Sequence, residues 1–182
     1  MKKTFFILIL AVILTLTLIS CSDSDQEGEK LARGYVRLEN AGGEYSFVHP
    51  ESWTVDRNDG MVQLHVSEKD ASGISVTAFA PPRAGLTSLD EYLKSDYIDH
   101  LKSTIPTLEV SEDSFEETTL GERDARRIVF DAEISGKSYR FMQIVTLNTD
   151  GYIYIFTYTS TPDIFTSHMD AVNEILDTFL FN

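Results

Sequence analysis

Cysteine and positive charge are the two scarcest features of this 182-residue sequence. It has one cysteine, 15 lysine and arginine residues against 29 aspartate and glutamate residues, and a formal charge of −14. A single thiol excludes an internal disulfide framework and a zinc site built from several thiolates. An acidic surface repels phosphate backbones, so the composition also excludes a nucleic-acid partner bound by counterion release.

The motifs of common enzymes and cofactor sites are absent as well. The sequence has no Gly-x-Ser-x-Gly elbow, no glycine-rich phosphate or dinucleotide motif, and no His-Glu-x-x-His or Cys-x-x-Cys spacing. Residues 56–60 resemble a calcium loop of the EF-hand type, but the glycine is at the fifth place and Ser67 stands where the bidentate glutamate belongs. We therefore predict no catalytic residue, no cofactor and no dedicated metal site.

The first twenty residues have the pattern of a secretory signal. Two lysines follow the first methionine, and residues 5–19 are apolar residues and threonines without charge. The run is shorter than the roughly 20 residues that cross a bilayer, which favours a cleaved leader over a transmembrane helix. Residues 18–21, Leu-Ile-Ser-Cys, resemble the lipobox of bacterial lipoproteins. The resemblance implies lipid attachment (palmitate-type acyl chains) at Cys21, and the alternative is an ordinary signal peptide with a chance cysteine.

The sequence is predicted to have three parts. Residues 1–20 are the lipoprotein signal peptide, residues 21–33 are the lipidated cysteine with a polar tether, and residues 34–182 are one globular domain. Removal of Lys2 and Lys3 with the leader would lower the formal charge from −14 to −16. Because anionic lipid repels such a domain, we expect the acyl chains to hold it at the membrane. The predicted location is the extracytoplasmic face of the cell membrane, or the outer membrane if the cell has two.

Turn residues divide the folded part into segments with strand patterning. Strands are predicted at residues 35–38, 45–48, 53–55, 61–66, 74–79, 108–120, 124–134, 138–147 and 152–159. In the last segment Ile153 and Ile155 alternate with tyrosines and Phe156, so both faces carry bulky groups. An antiparallel sheet with one wet face would show a single apolar phase, so we expect the sheet to be covered on both sides.

Two helices are predicted, one for each face. Ser88 and Glu91 form a capping box that begins a helix extending to about Thr104. Thr161 as N-cap and Pro162 in the first turn begin the second helix. The apolar stripes are Leu89, Tyr92, Leu93, Tyr97 and Leu101 in the first helix and Phe165, Met169, Val172, Leu176 and Phe179 in the second. The predicted fold class is α+β, an α/β/α sandwich around a central, mostly antiparallel sheet.

Several of these features together resemble the PsbP-like family over residues 45–181. The features are the Tyr-x-Phe-x-x-Pro-x-x-Trp pattern of residues 45–53, the turn from Gly121 to Ala125, an aromatic strand and a closing helix ending at Phe179. The resemblance implies a non-catalytic domain that binds or steadies another molecule. The photosynthetic role of the best-known members is not carried over, because the leader is that of a bacterial envelope protein. Within the pattern, Trp53 is predicted to pack in the core and His49 to be a turn residue.

Three groups of charged residues are candidate binding features. Asp96 and His100 lie one helical turn apart, either as a half-buried pair able to hold a divalent ion or, preferably, as an i,i+4 pair at the edge of the stripe. The densest acidic stretch is either a weak calcium patch or a solvated strand face; it comprises Glu109, Glu112, Asp113, Glu116 and Glu117. The one basic cluster either receives an anion or pairs with neighbouring acids; it comprises Arg123, Arg126 and Arg127.

The leading functional hypothesis is a lipid-anchored, non-catalytic binding or assembly accessory domain with a protein partner in the envelope. The alternative is a lipoprotein that binds a small solute or a divalent cation in a pocket between sheet and helix. A hydrolase with an unrecognised site is the weakest alternative. A concave apolar pocket with a few polar groups would favour the solute receptor, whereas a flat exposed aromatic patch would favour the protein partner.

Overall fold

The computed structural model describes residues 31, 33–58, 61–82, 85–86, 88–105, 108, 110 and 114–182. The predicted signal peptide, Cys21 and most of the predicted tether lie outside the described residues. Leu31–Asn182 is one compact unit. Across the described ranges, every helix is too short or too polar to span a bilayer.

In the described part of the chain, ten strands form two separate sheets, all of whose pairings are antiparallel. The strands are β1 (Tyr35–Glu39), β2 (Tyr45–Pro50), β3 (Thr54–Asn58), β4 (Met61–Ser67), β5 (Asp70–Phe79), β6 (Glu116–Leu120), β7 (Arg123–Ile134), β8 (Lys137–Leu147), β9 (Ile153–Ser160) and β10 (Leu180–Phe181). The central sheet has seven strands in the order β3-β4-β5-β9-β8-β7-β6. The predicted α+β class with a central antiparallel sheet is confirmed.

The strands predicted at residues 35–38 and 45–48 pair as a hairpin, which belongs to the second sheet, of order β1-β2-β10. Its third strand, β10, was not predicted, and it pairs Phe181 with Tyr45 and Leu180 with Ser46. The main-chain N–H of Asn182 donates to the carbonyl of Glu44 at 2.9 Å and extends this pairing. The C-terminal residues are thus fastened to the hairpin near its turn.

The first predicted helix, here called α1, spans residues 89–104 and contains a π-helical turn. Ser88 caps it, since the Ser88 hydroxyl accepts from the N–H of Glu91 at 3.1 Å. Leu89–Tyr92 and Ile98–Thr104 are α-helical, and Leu93–Tyr97 form the π turn between them. The extra residue of a π turn shifts the helical register. Tyr92, Leu93, Tyr97, Ile98 and Leu101 are consequently all buried.

The second predicted helix begins later than the sequence indicated. Phe165–His168 form a 3-10 turn, and the α-helix, here called α2, is Met169–Asp177. Thr161 as N-cap and Pro162 in the first helical turn are therefore wrong. The Tyr158 hydroxyl donates to the Phe165 carbonyl at 2.9 Å, and that carbonyl is the group that would accept the first α-helical bond from Met169. The stripe from Phe165 to Phe179 does pack into the core, although Phe179 lies beyond the helix end.

The two faces of the central sheet have different covers. On one face, called the α1 face, side chains of α1 such as Tyr97 pack in one core with sheet residues such as Val145 and Ile153. On the other, called the hairpin face, α2 and the three-stranded sheet together cover a core that includes Phe47 and Phe156. Both faces are covered, as predicted, but the hairpin face has two covering pieces where one helix was expected.

Two further predictions are resolved by burial and hydrogen bonds. Trp53 packs in the core of the hairpin face with 7% exposure, as predicted. His49 is wrong as a turn residue because it lies in β2 and is 4% exposed, with its Nδ1–H donating to the Pro50 carbonyl at 2.9 Å. The strand predicted at 108–120 begins only at Glu116, and Leu108 instead donates to the Ile105 carbonyl at 2.9 Å in a turn after α1.

A candidate ligand-binding cavity

A cavity of about 580 Å³ lies between the hairpin and one end of the central sheet, on the hairpin face. The β1–β2 turn forms one wall, and side chains of β3, β4, β5 and β9 form the other. Strand register brings the sheet residues together, since Arg57 pairs with Val62 and Ala78 pairs with Tyr154. The cavity is therefore the open end of the layer between the two sheets.

The turn that forms the outer wall is fixed by its own hydrogen bonds. The side-chain oxygen of Asn40 accepts from the N–H of Tyr45 at 3.0 Å, and the N–H of Gly43 donates to the Asn40 carbonyl at 3.0 Å. Gly43 has φ +72°, a conformation that favours glycine. The Asn40 side chain also donates to the carboxylate of Glu44. These bonds hold Glu44 at the cavity.

The β8–β9 turn supplies the second acidic residue of the cavity, Asp150. One carboxylate oxygen accepts from the N–H of Tyr152 at 2.8 Å and the other from the hydroxyl of Tyr154 at 2.9 Å. Burial raises the pKa of Tyr154, and the hydrogen bond to Asp150 raises it further. The Tyr154 hydroxyl is therefore a protonated donor, and both oxygens of Asp150 are already occupied.

Arg57 brings the positive charge to the cavity. Its guanidinium donates to the carbonyl of Glu39 at 3.3 Å. Among the described residues, no ion pair joins Arg57 to Glu44 or to Asp150, although all three line the same cavity. The cavity thus holds both signs of charge on separate side chains.

Two buried polar atoms next to the cavity have no hydrogen-bond partner in the described part of the chain. They are the hydroxyl of Tyr45, a residue 1% exposed, and the amide oxygen of Asn148, a residue 8% exposed. Burial raises the pKa of Tyr45, Glu44 and Tyr154 raise it further, and Arg57 opposes them. The hydroxyl thus lies within electrostatic range of three cavity residues. Unsatisfied buried groups are rare in proteins, so their position beside a cavity is informative.

The sequence-predicted charged groups lie elsewhere. His100 is exposed, and Asp96 accepts from the Ser95 hydroxyl at 2.9 Å, with no ion pair between Asp96 and His100 in the described structure. Across the described ranges, no group of three or more His, Cys, Asp or Glu side chains could hold a metal ion. The first three acids of the predicted acidic stretch lie outside the described residues.

The basic cluster pairs with acids rather than forming one anion site. Arg127 binds Glu116, with its Nε donating at 3.1 Å, and Arg126 contacts Asp90 of α1 at 3.0 Å. Arg126 also lies 3.8 Å from Glu117. Pairing is therefore confirmed for these two arginines, whereas the Nε of Arg123 is buried without a partner in the described part.

One acid–imidazole pair was not predicted. Asp70 and His168 are joined at 2.8 Å between Oδ2 and Nε2, and the other Asp70 oxygen accepts from the N–H of Ser72 at 2.8 Å. The hydroxyls of Ser72 and Ser160 are buried and bond to each other at 2.7 Å. Among the described residues, no serine hydroxyl bonds to His168, so the arrangement lacks the nucleophile-to-base contact of a hydrolase.

Sequence reasoning missed the cavity residues Glu44, Arg57 and Asp150. Glu44 and Asp150 lie in gaps between the predicted strands, at residues 39–44 and 148–151, but the meeting of these two segments depends on how the two sheets pack. Neither turn has a sequence signal for that packing.

No protein-family model matches the chain, and no curated protein matches it by sequence. Solved structures do share its fold. LpqN, involved in cell envelope biogenesis of Mycobacterium tuberculosis, matches with TM-score 0.55 and 15% identity over 81% of this chain and 90% of LpqN. The Ran-binding protein Mog1p of Saccharomyces cerevisiae matches with TM-score 0.54 and 11% identity over 81% of this chain and 95% of Mog1p.

A protein from Bacteroides thetaiotaomicron VPI-5482 matches 80% of this chain with TM-score 0.52 and 15% identity, but the match spans only 48% of that protein. Cyanobacterial PsbP from Synechocystis sp. PCC 6803 superposes less well, with TM-score 0.46. At such low identities the similarity shows the fold alone. The chain therefore shares an α+β fold with LpqN and Mog1p, and PsbP-like family membership stays a prediction.

Proposed function

We propose that this chain is a non-catalytic lipoprotein that is anchored through Cys21 at the extracytoplasmic face of the membrane and binds a small solute in the cavity. The cavity is the observation that carries the proposal. Its volume of about 580 Å³ falls in the range of about 300–1,000 Å³ typical of small-molecule sites. Its wall combines apolar side chains such as Val62 and Ala78 with a few polar groups, among them Glu44 and Arg57.

The exposed aromatic residues favour a solute over a protein partner. Phe79 and Tyr152 are the aromatics among the exposed large apolar residues, at 37% and 47% exposure. Phe79 contacts Tyr92 on the α1 face, whereas Tyr152 lines the cavity on the hairpin face. They lie on different faces and do not form one flat patch, the feature that would favour an envelope protein partner.

The anchor is supported by the lipobox pattern at residues 18–21 and by the role in cell envelope biogenesis stated for LpqN. Intact mass spectrometry of the protein from native membranes tests it. We expect a mature chain that begins at Cys21, carries acyl chains and partitions into detergent. The Cys21→Ser variant should keep its leader or enter the aqueous phase, and an unmodified Cys21 in the wild type would contradict the anchor.

The cavity is tested by filling it. Ala78 lines the cavity and is exposed, so Ala78→Trp should occupy the space without disturbing the core. Ala71 lies in the same strand, is also exposed and is outside the cavity, so Ala71→Trp is the matched control.

The three proteins are incubated with the low-molecular-weight fraction of the producing cells, and retained solutes are identified by mass spectrometry. We expect a solute that wild type and Ala71→Trp retain and Ala78→Trp loses. Retention by all three proteins alike, or by none, would contradict solute binding in this cavity.

A further inference from the structure

The charges of the cavity come from two different layers of the fold. Glu44 is on the β1–β2 turn, and Arg57 is on β3 of the central sheet. We infer that the solute is a small zwitterion, an α-amino acid or short peptide, whose carboxylate binds Arg57 and whose ammonium group binds Glu44. This inference rests on the proposed function and names the chemical class of its ligand.

Most N–H donors of the Arg57 guanidinium are available to a carboxylate. Among the described residues, its one hydrogen bond goes from Nη2 to the carbonyl of Glu39 at 3.3 Å. A guanidinium carries five N–H donors in a planar fork that fits a carboxylate with two parallel hydrogen bonds. The side chain is exposed, so a solute can reach it without displacing a protein partner.

Glu44 is the better acceptor of the two acids for an ammonium group. Both oxygens of Asp150 accept hydrogen bonds from its own turn and from Tyr154. In Glu44 only Oε2 accepts, from the side chain of Asn40, and Oε1 has no hydrogen-bond partner among the described residues. An ammonium group has three donors and no acceptor, which suits a carboxylate with a vacant oxygen.

The separation of the two charges points to a ligand that carries both. Had Arg57 and Glu44 bonded to each other, a zwitterion would first have to break that pair. No such pair exists between these two described residues, so each charge can be neutralised by the opposite end of one molecule.

The cavity also brings the two charges within reach of one molecule. Glu44 and Arg57 both line the same space of about 580 Å³, so a small solute inside it can contact both. Met61, Val62 and Ala78 add an apolar wall for a side chain of the ligand. An apolar amino acid or dipeptide has the required combination of groups.

Isothermal titration calorimetry on the full-length mature protein tests the inference with four probes. These are leucine, leucyl-leucine, N-acetyl-leucyl-leucine and leucyl-leucine amide. We expect leucine or leucyl-leucine to bind, and whichever binds tighter identifies an amino acid or a peptide as the source. Blocking either end of leucyl-leucine should weaken binding by about tenfold or more, the worth of one charge-assisted hydrogen bond.

Variants test whether Arg57 binds the carboxylate of the peptide and Glu44 binds its ammonium group. Arg57→Gln should bind leucyl-leucine and its amide equally, and Glu44→Gln should bind leucyl-leucine and its N-acetyl form equally. A variant that only damages the fold would bind all four probes more weakly. It would not lose the preference for a free carboxylate while keeping the preference for a free ammonium group, or the reverse. Arg127→Gln, on β7 outside this cavity, is the control and should discriminate as the wild type does.

Equal binding of the blocked and unblocked peptides by the wild type would overturn the inference, as would the absence of binding by all four probes. Its failure is distinguishable from that of the proposed function. If a cell-derived solute is retained by the wild type and lost in Ala78→Trp while no zwitterion binds, only the ligand class is wrong. If Ala78→Trp loses nothing either, both proposals fail.

Discussion

The two faces of the central sheet are covered in different ways, and two cavities lie where the covering pieces of one face meet. The α1 face is covered by one helix of residues 89–104, whereas α2 and the three-stranded sheet share the hairpin face. Cavities of about 580 and 390 Å³ open on the hairpin face, one beside the β1–β2 turn and one beside α2. A cavity of about 240 Å³ over β4 and β5 is smaller and is lined by side chains of the opposite face, such as Gln63 and Ser75. Two covering pieces leave gaps at their margins, and such gaps are where a ligand can enter.

Two buried tyrosines show the same contrast at the level of hydrogen bonds. Tyr97 on the α1 face and Tyr45 on the hairpin face are each 1% exposed. The Tyr97 hydroxyl donates to the side-chain oxygen of Gln143, whose NH₂ group donates to Thr157 at 3.2 Å. The Tyr45 hydroxyl has no partner among the described residues. The buried hydroxyl of Tyr97 on the α1 face is therefore satisfied, whereas the hairpin face keeps an unpaired buried hydroxyl at Tyr45.

Removal of the Phe179 ring should destabilise the core of the hairpin face more than any other substitution considered below. This ring is 2% exposed and stacks on both Tyr45 and Phe47, at centroid distances of 5.3 and 5.8 Å. We expect Phe179→Ala to lower the free energy of unfolding by about 3–5 kcal/mol, measured by urea denaturation followed by circular dichroism. Phe79→Ala, at a ring 37% exposed, is the control and should cost about 1 kcal/mol or less. Similar losses in the two variants would contradict a hairpin core held by this stack.

Tyr97 and Tyr45 allow a second test, because Tyr→Phe should lower the free energy of unfolding at one position and leave it unchanged or raise it at the other. Tyr97→Phe removes the donor to Gln143 and leaves a partly buried acceptor unpaired, which should cost about 1–2 kcal/mol in the free energy of unfolding. Tyr45→Phe removes a buried hydroxyl that has no partner, so the variant should be as stable as the wild type or more stable. Both are measured by the same urea titration. A clear loss of stability in Tyr45→Phe would mean that its hydroxyl is satisfied by water or a ligand.

The Asp70–His168 pair should make the attachment of α2 to β5 dependent on pH. Burial acts to raise the pKa of Asp70, but hydrogen bonds from Ser72 and His168 outweigh it and hold the pKa below the ordinary value of 3.8. A lowered pKa in the folded state means that the stabilisation is present above pH 3.8 and is lost as the pH falls through the folded-state pKa.

We therefore expect Asp70→Asn to cost about 1–2 kcal/mol near pH 6, with a difference from the wild type that shrinks steadily below pH 3.8. Urea denaturation at a series of pH values measures it. Asp163→Asn changes an exposed acid near the same end of the domain and serves as the control. A deficit in Asp70→Asn that persists unchanged at pH 2 to 3 would show that the carboxylate charge is not its cause.

The fold class was predictable because the pattern of apolar residues along a strand or helix indicates which of its faces are buried. The bulky residues on both phases of β9 predicted two covered faces, and the capping box at Ser88 predicted the start of α1. The division into two sheets was not predictable, since β10 has only two residues and pairs with a strand more than 130 positions earlier in the chain. Two residues carry no periodicity that could be recognised.

The cavity was not predictable for a related reason. Asn40, Gly43 and Gly151 are turn-forming residues in the gaps between the predicted strands. Their placement at the same end of the hairpin face depends on how the three-stranded sheet packs on the central one, which is a property of side-chain packing across distant segments. The start of α2 was mispredicted for a more local reason, because the carbonyl of Phe165 accepts a hydrogen bond from the hydroxyl of Tyr158, seven residues earlier in β9.

The smallest expected effects concern two adjacent arginines of β7 that serve opposite faces. Arg126 contacts Asp90 in the first turn of α1, and Arg127 binds Glu116 and lines the smaller cavity on the hairpin face. The two acids are 61% and 68% exposed, so Asp90→Asn and Glu116→Gln should each cost only about 0.2–1 kcal/mol. Asp90→Asn should cost more, since Asp90 also interacts with the dipole at the start of α1. Urea titrations at low salt and at 1 M salt measure these losses of unfolding free energy, and both should become smaller at high salt. A loss in Glu116→Gln that does not depend on salt would indicate packing of the side chain against the cavity rather than charge.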